Sequence, residues 1–188
     1  MLRRFLKDSA IYGASNLLSR GIGLLLLPLY TRVLTPTEYG TVDLLQVLRS
    51  LVALTVALEI SQGLVRFFAE AGDDGEKRVL ASTALWFTLG AYALFAVVAT
   101  VWARPLSAWL LDTQAATGAW RLAVAYTVAA GVFALLQDLL RFDFRARDYA
   151  FASIASVLVT TGATVALLLG TPLRVGAIFL GLIAGQVV

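Results

Sequence analysis

The chain has no cysteine and no histidine among its 188 residues. That excludes disulfides, thiolate chemistry and the usual zinc ligand sets. It also excludes Ser-His and Cys-His nucleophile pairs. Charge is scarce as well: 14% of residues are Asp, Glu, Lys or Arg, against about 25% in an ordinary soluble domain. No connection between apolar segments exceeds about 18 residues, too little for the carboxylate-bearing loop expected of a membrane glycosyltransferase, polymerase or acyltransferase. No enzyme activity, cofactor, metal or nucleic-acid partner is therefore expected.

What remains is apolar. Hydrophobic residues make up 60% of the chain, in long runs that a single soluble core does not need. A bilayer core about 30 Å thick takes roughly 20 residues of helix. The runs predict an all-α polytopic membrane bundle forming one domain over residues 1–188, with about six spans. These are expected near 9–33, 41–69, 79–103, 120–140, 149–169 and 175–188. The last is still running at Val188, so the chain reads as the N-terminal lobe of a longer polypeptide. Thr35-Pro36-Thr37-Glu38-Tyr39-Gly40, Gly72-Asp73-Asp74-Gly75 and Gly170-Thr171-Pro172 are expected turns or loops. Arg104-Pro105, followed by Leu106, Trp109 and Leu110, suggests a short helix in the membrane interface.

Charge orients the spans. If they alternate, Arg3, Arg4, Lys7, Arg66, Lys77, Arg78, Arg141, Arg145 and Arg147 fall on one side. Arg32, Arg104, Arg121 and Arg174 fall on the other. The positive-inside rule then places the N-terminus in the cytoplasm. Trp102, Trp109 and Trp120 cluster on the opposite side, as an outer aromatic belt would. A signal peptide is disfavoured because Asp8, Tyr12, Asn16 and Arg20 interrupt the stretch where its apolar region would lie.

Arg20 is the most informative residue. A helix over Ser9–Val33 puts it near the midplane, where an arginine costs roughly 3 kcal/mol unless it faces a partner or a wet cavity. Ser9, Tyr12, Gly13, Asn16 and Arg20 share one stripe of that helix. In the second span, Asp43, Gln46 and Ser50 form a stripe with Arg49 beside it, and Glu59, Gln62, Gly63 and Arg66 form another. Two readings follow. The polar groups tie helices together, with Glu59 as the counter-charge of Arg20. Alternatively, Arg20, Arg49, Asn16 and Gln46 line a cationic cavity, and the planar guanidinium fork suits a diphosphate. Tyr12 is the one aromatic platform for a sugar on these stripes. Arg66-Phe67-Phe68 and Arg141-Phe142-Asp143-Phe144-Arg145 would meet the cytoplasmic surface. There Arg66, Arg141 and Arg145 either anchor the chain on anionic membrane lipids or form an entry gate for a phosphate-bearing lipid.

Several runs carry a resemblance. Ser15-Asn16-Leu17-Leu18-Ser19, Leu27-Pro28-Leu29-Tyr30-Thr31-Arg32-Val33-Leu34-Thr35-Pro36 and Glu38-Tyr39-Gly40 resemble the opening of bacterial polysaccharide-biosynthesis exporters. These are the O-antigen-type flippases of the multidrug/oligosaccharidyl-lipid/polysaccharide superfamily. Gly63-Leu64-Val65-Arg66-Phe67-Phe68-Ala69-Glu70 resembles the end of their second span, and Arg145 to Ala150 their fourth-to-fifth junction. The resemblance implies two pseudo-symmetric lobes around a central cavity, so the C-terminal lobe is an expected partner. It implies alternating access, and flipping of an undecaprenyl-diphosphate-linked oligosaccharide across the bacterial inner membrane. The alternatives are a drug or cation exporter of the same superfamily, which predicts an acidic cavity, and a peptidoglycan-precursor flippase.

Overall fold

The computed structural model describes residues 12–14, 17, 21, 22, 24, 26–55, 60–111 and 117–188, the side chains of 61 and 62 aside. Among the described residues all regular structure is helical. A helical segment over 26–33 leads into α1 (Pro36–Thr55), α2 (Ile60–Glu70), α3 (Asp74–Val101), α4 (Ala103–Leu111), α5 (Thr117–Phe142), α6 (Ala146–Gly170) and α7 (Arg174–Gln186).

Local chemistry sets the breaks. The expected turn over Thr35–Gly40 is narrower in the structure, because Pro36 stands at the first position of α1, where its missing N–H costs nothing. Thr35 and Glu38 form a capping box. The Glu38 N–H donates to Thr35 Oγ1 at 3.3 Å, and the Thr35 N–H donates to Glu38 Oε2 at 2.8 Å. Asp73 caps α3 by accepting the Glu76 N–H at 2.7 Å, while the Gly72 N–H donates to Glu76 Oε2 at 2.7 Å. The short helix expected after Arg104-Pro105 is α4. It buries Ala103 and Ser107 and leaves Trp109 82% exposed.

α5 ends in a Schellman motif. The Arg145 N–H donates to the Leu140 carbonyl at 2.9 Å and the Phe144 N–H to the Arg141 carbonyl at 3.1 Å. Phe144 takes the left-handed position, with φ 54°, where glycine is usual. For a residue with a Cβ that conformation costs about 1–2 kcal/mol.

α5 is the hub, in contact with α1, α2, α3, α4, α6 and α7. Towards α3 it presents Gly131 beneath the buried Tyr92 ring, and Trp120, whose Nε1–H donates to the Ala99 carbonyl at 2.8 Å. The most extensive helix contact is the antiparallel seam of α6 and α7. Gly181 of α7 sits against Thr164 of α6, and Gly185 sits against Ser156 and Thr160. Both sides repeat small residues every four positions, the pattern that lets helices approach closely in lipid.

α3, α5 and α6 are long and apolar enough to cross a membrane. Trp86, Leu94 and Phe151 are each at least 67% exposed on these helices. Large apolar side chains exposed along such long apolar helices fit a lipid-facing surface. The protein is a membrane helix bundle.

Candidate functional site

A cleft of about 370 Å3 opens between the 26–33 segment, α1, α6 and α7. Its polar lining includes Tyr30, Tyr39, Asp43, Gln46, Thr160 and Gln186. Leu26, Val42, Ile178 and Leu182 wall it with hydrocarbon. Tyr39, Asp43 and Gln46 stand four and three residues apart, so one stripe of α1 faces the cleft. Among the described residues no cation lies within ion-pair distance of Asp43. The groups on offer are a carboxylate, two amides, hydroxyls and two phenol rings. That set both donates and accepts hydrogen bonds, and it stacks flat apolar faces.

Arg49 turns away from this lining. It follows Leu45 and Val52, which are buried in the bundle and do not line the cleft. Its guanidinium lies 5.2 Å from the centroid of the Tyr126 ring on α5. Such a contact is worth about 0.5–2 kcal/mol, rising as water is excluded. Among the described residues no carboxylate pairs with Arg49. Gln46 and Arg49 thus sit one turn apart, one in the cleft and one over an aromatic ring. Arg20, Asn16 and Glu59 lie outside the described residues, as does the side chain of Gln62. Tyr12 packs edge-on to Tyr149, with ring centroids 5.0 Å apart, and is not in the cleft lining.

Arg66, Arg141 and Arg145 each have a carboxylate on their own helix or at its cap. Arg66 Nε meets Glu70 Oε1 at 3.1 Å, Arg141 meets Asp138 at 3.1 Å, and Arg145 Nε meets Asp148 Oδ2 at 2.7 Å. Exposed pairs of this kind contribute about 0–1 kcal/mol and leave the guanidinium open to exchange. The rings of Phe68 and Phe142, 5.7 Å apart, bring both arginine-aromatic motifs to one end of the bundle. Arg145 lines a second cleft there, whose lining includes neither Arg66 nor Arg141.

At the opposite end Arg174 Nη1 meets Glu38 Oε2 at 3.1 Å, tying the start of α7 to the start of α1. The Thr35 N–H beside it, then the Thr35 hydroxyl and Arg174, hold the Glu38 carboxyl below the ordinary range of a glutamate. Among the described residues no group of three or more carboxylates is placed to hold a metal ion.

Tyr30, Tyr39, Thr160 and Gln186 were not expected in the site. Tyr39 had a signal, since it continues the Asp43–Gln46 stripe one turn back. Gln186 had a fainter one, as the only amide in an apolar helix. Tyr30 and Thr160 had none without the packing of four helices.

No curated protein and no solved structure matches the chain. A family model does, over residues 5–188, described as polysaccharide biosynthesis protein. An all-helical membrane bundle with a polar cleft among its helices, matched over nearly its whole length, belongs to the polysaccharide biosynthesis protein family.

Proposed function

We propose that this chain is a non-enzymatic lobe of a flippase that carries a diphosphate-linked, lipid-borne oligosaccharide across the bacterial cytoplasmic membrane. The observation that carries the reading is the cleft itself. Hydroxyls, amides and a carboxylate line an open cleft between apolar helices, with Asp43 and Gln46 exposed in it; facing hydrocarbon, an unpaired polar group costs several kcal/mol. Family membership supports a role in polysaccharide biosynthesis.

The chemistry divides along α1. Gln46 and its neighbours offer the mixed donors and acceptors that sugar hydroxyls need. Arg49 offers a delocalised cation. A guanidinium stacked on a ring keeps its N–H edges for phosphate oxygens. We assign Arg20 and Asn16 to the same diphosphate face, with Glu59 as counter-charge, and a second lobe as the partner that closes the cavity. The loop charges support a cytoplasmic N-terminus, which makes the Arg66, Arg141 and Arg145 end the cytoplasmic entry.

One observation favours a second reading. Among the described residues Asp43 is the only carboxylate in the cleft lining, and no cation lines it. A cation or drug exporter would use such a group.

The two readings separate in the complete protein. Under the flippase reading Gln46→Leu removes surface polysaccharide while membrane abundance stays near normal. Arg49→Lys weakens it partially, since lysine keeps the charge over Tyr126 but loses the fork. Unchanged polysaccharide in both variants, with drug resistance lost in Asp43→Asn, would replace this reading with the exporter.

A further inference from the structure

The end of the bundle that joins α2 to α3 and α5 to α6 holds the second cleft, about 530 Å3 in volume. Phe68, Ala81 and Leu139 give it an apolar floor. Lys77, Arg78 and Arg145 stand around it, together with Asp74 and Asp143. Three cations thus face two carboxylates.

The cations are incompletely satisfied. Lys77 Nζ is 3.8 Å from Asp74, beyond hydrogen-bond reach. Among the described residues Arg78 has no ion pair. Arg145 gives its Nε to Asp148, while its terminal nitrogens donate to no described residue. Beside Arg145, the left-handed Phe144 holds its ring 71% exposed. An exposed phenyl ring adds apolar surface beside the cationic rim.

An apolar floor under a cationic rim, with an aromatic ring alongside, is suited to one ligand chemistry. Glycerol and upper acyl carbons would lie on Phe68 and Leu139, and a phosphate would meet the arginine and lysine N–H groups. We propose that this cleft binds the headgroup of an anionic glycerophospholipid, separately from the transport cleft. The proposal does not depend on the flippase reading, because it needs no transported substrate.

The full chain, purified in neutral detergent, is equilibrated with equal amounts of phosphatidylglycerol and phosphatidylethanolamine. Retained lipid is then counted by native mass spectrometry. The chain retains phosphatidylglycerol in excess. A Lys77→Ala/Arg78→Ala/Arg145→Ala variant loses at least about tenfold of that excess, with phosphatidylethanolamine unchanged. Asp143→Asn, which removes a competing anion, raises retention and guards against a misfolded triple variant. The same loss on Arg104→Ala/Arg121→Ala, at sites outside this cleft, would overturn the proposal by showing a general charge effect. Equal retention in the triple variant would also overturn it. So would complete displacement of the lipid by millimolar inorganic phosphate, which would make this a free-phosphate site.

Discussion

Gly185→Ala adds a single methyl group where α7 lies directly against α6. A Cβ built there falls on the Thr160 hydroxyl and lies 2.5 Å from the Ser156 carbonyl oxygen. The hydroxyl can rotate away, but the carbonyl belongs to the backbone of α6 and cannot. α6 and α7 would have to separate by most of an ångström to restore van der Waals contact. Overpacking of this size costs about 1–3 kcal/mol. Gly181→Ala meets the Thr164 backbone, with N at 2.8 Å and Cα at 2.9 Å, and belongs in the same range. Gly162→Ala is the control: it lies on α6 with nothing within 4 Å. There alanine should be neutral, or stabilising by about 0.5–1 kcal/mol through helix propensity. The assay is thermal unfolding of the purified chain in detergent, followed by size-exclusion chromatography of the surviving fraction. Both seam variants should melt below wild type and the control at or above it. Seam variants that melt with the control would refute the close approach of α6 and α7.

Two further outcomes follow. Glu38 has a depressed pKa in the fold, so its contribution is complete above the ordinary glutamate value of about 4.3 and is lost as pH falls through the depressed value. Melting temperature should drop on that acid limb, Glu38→Gln should remove this part of the drop, and an identical pH profile in the variant would count against the cap. The loop charges predict that Asp74→Cys, in a chain with no cysteine of its own, stays unreactive to an impermeant thiol reagent outside intact cells; labelling would reverse the orientation.

The membrane bundle was legible because apolar runs and their polar breaks are properties of composition along the chain. The caps were partly legible. Thr35-x-x-Glu38 has the spacing of a capping box, yet Pro36 and Gly40 also have the composition of a turn, and Pro36 in fact starts α1. The local partners of the surface arginines could also be read, since Glu70, Asp138 and Asp148 stand three or four residues from them.

The site was less legible, for geometric reasons. Gln46 and Arg49 are neighbours on a helical wheel, and periodicity does not say where a cleft wall ends and a packing face begins. Tyr126, contributed by α5, decides it by stacking on Arg49. The Gly181 and Gly185 pair has a recognisable spacing, but Ser156, Thr160 and Thr164 become its counterpart only once α6 and α7 run antiparallel. The left-handed Phe144 carries no compositional sign at all, because glycine is what that position ordinarily selects.

Under the proposed function, the cleft beside α1 receives the headgroup of the transported lipid. In the complete protein a single Gln46→Cys would be labelled with a small water-soluble thiol reagent. Cells making the lipid-linked glycan would be compared with cells in which its synthesis is switched off. Leu94→Cys, on the exposed apolar face of α3, serves as the reference. Gln46→Cys should react when no glycan is made and slow several-fold when it is, with Leu94→Cys unlabelled in both. Equal labelling of Gln46→Cys with and without the glycan would contradict it.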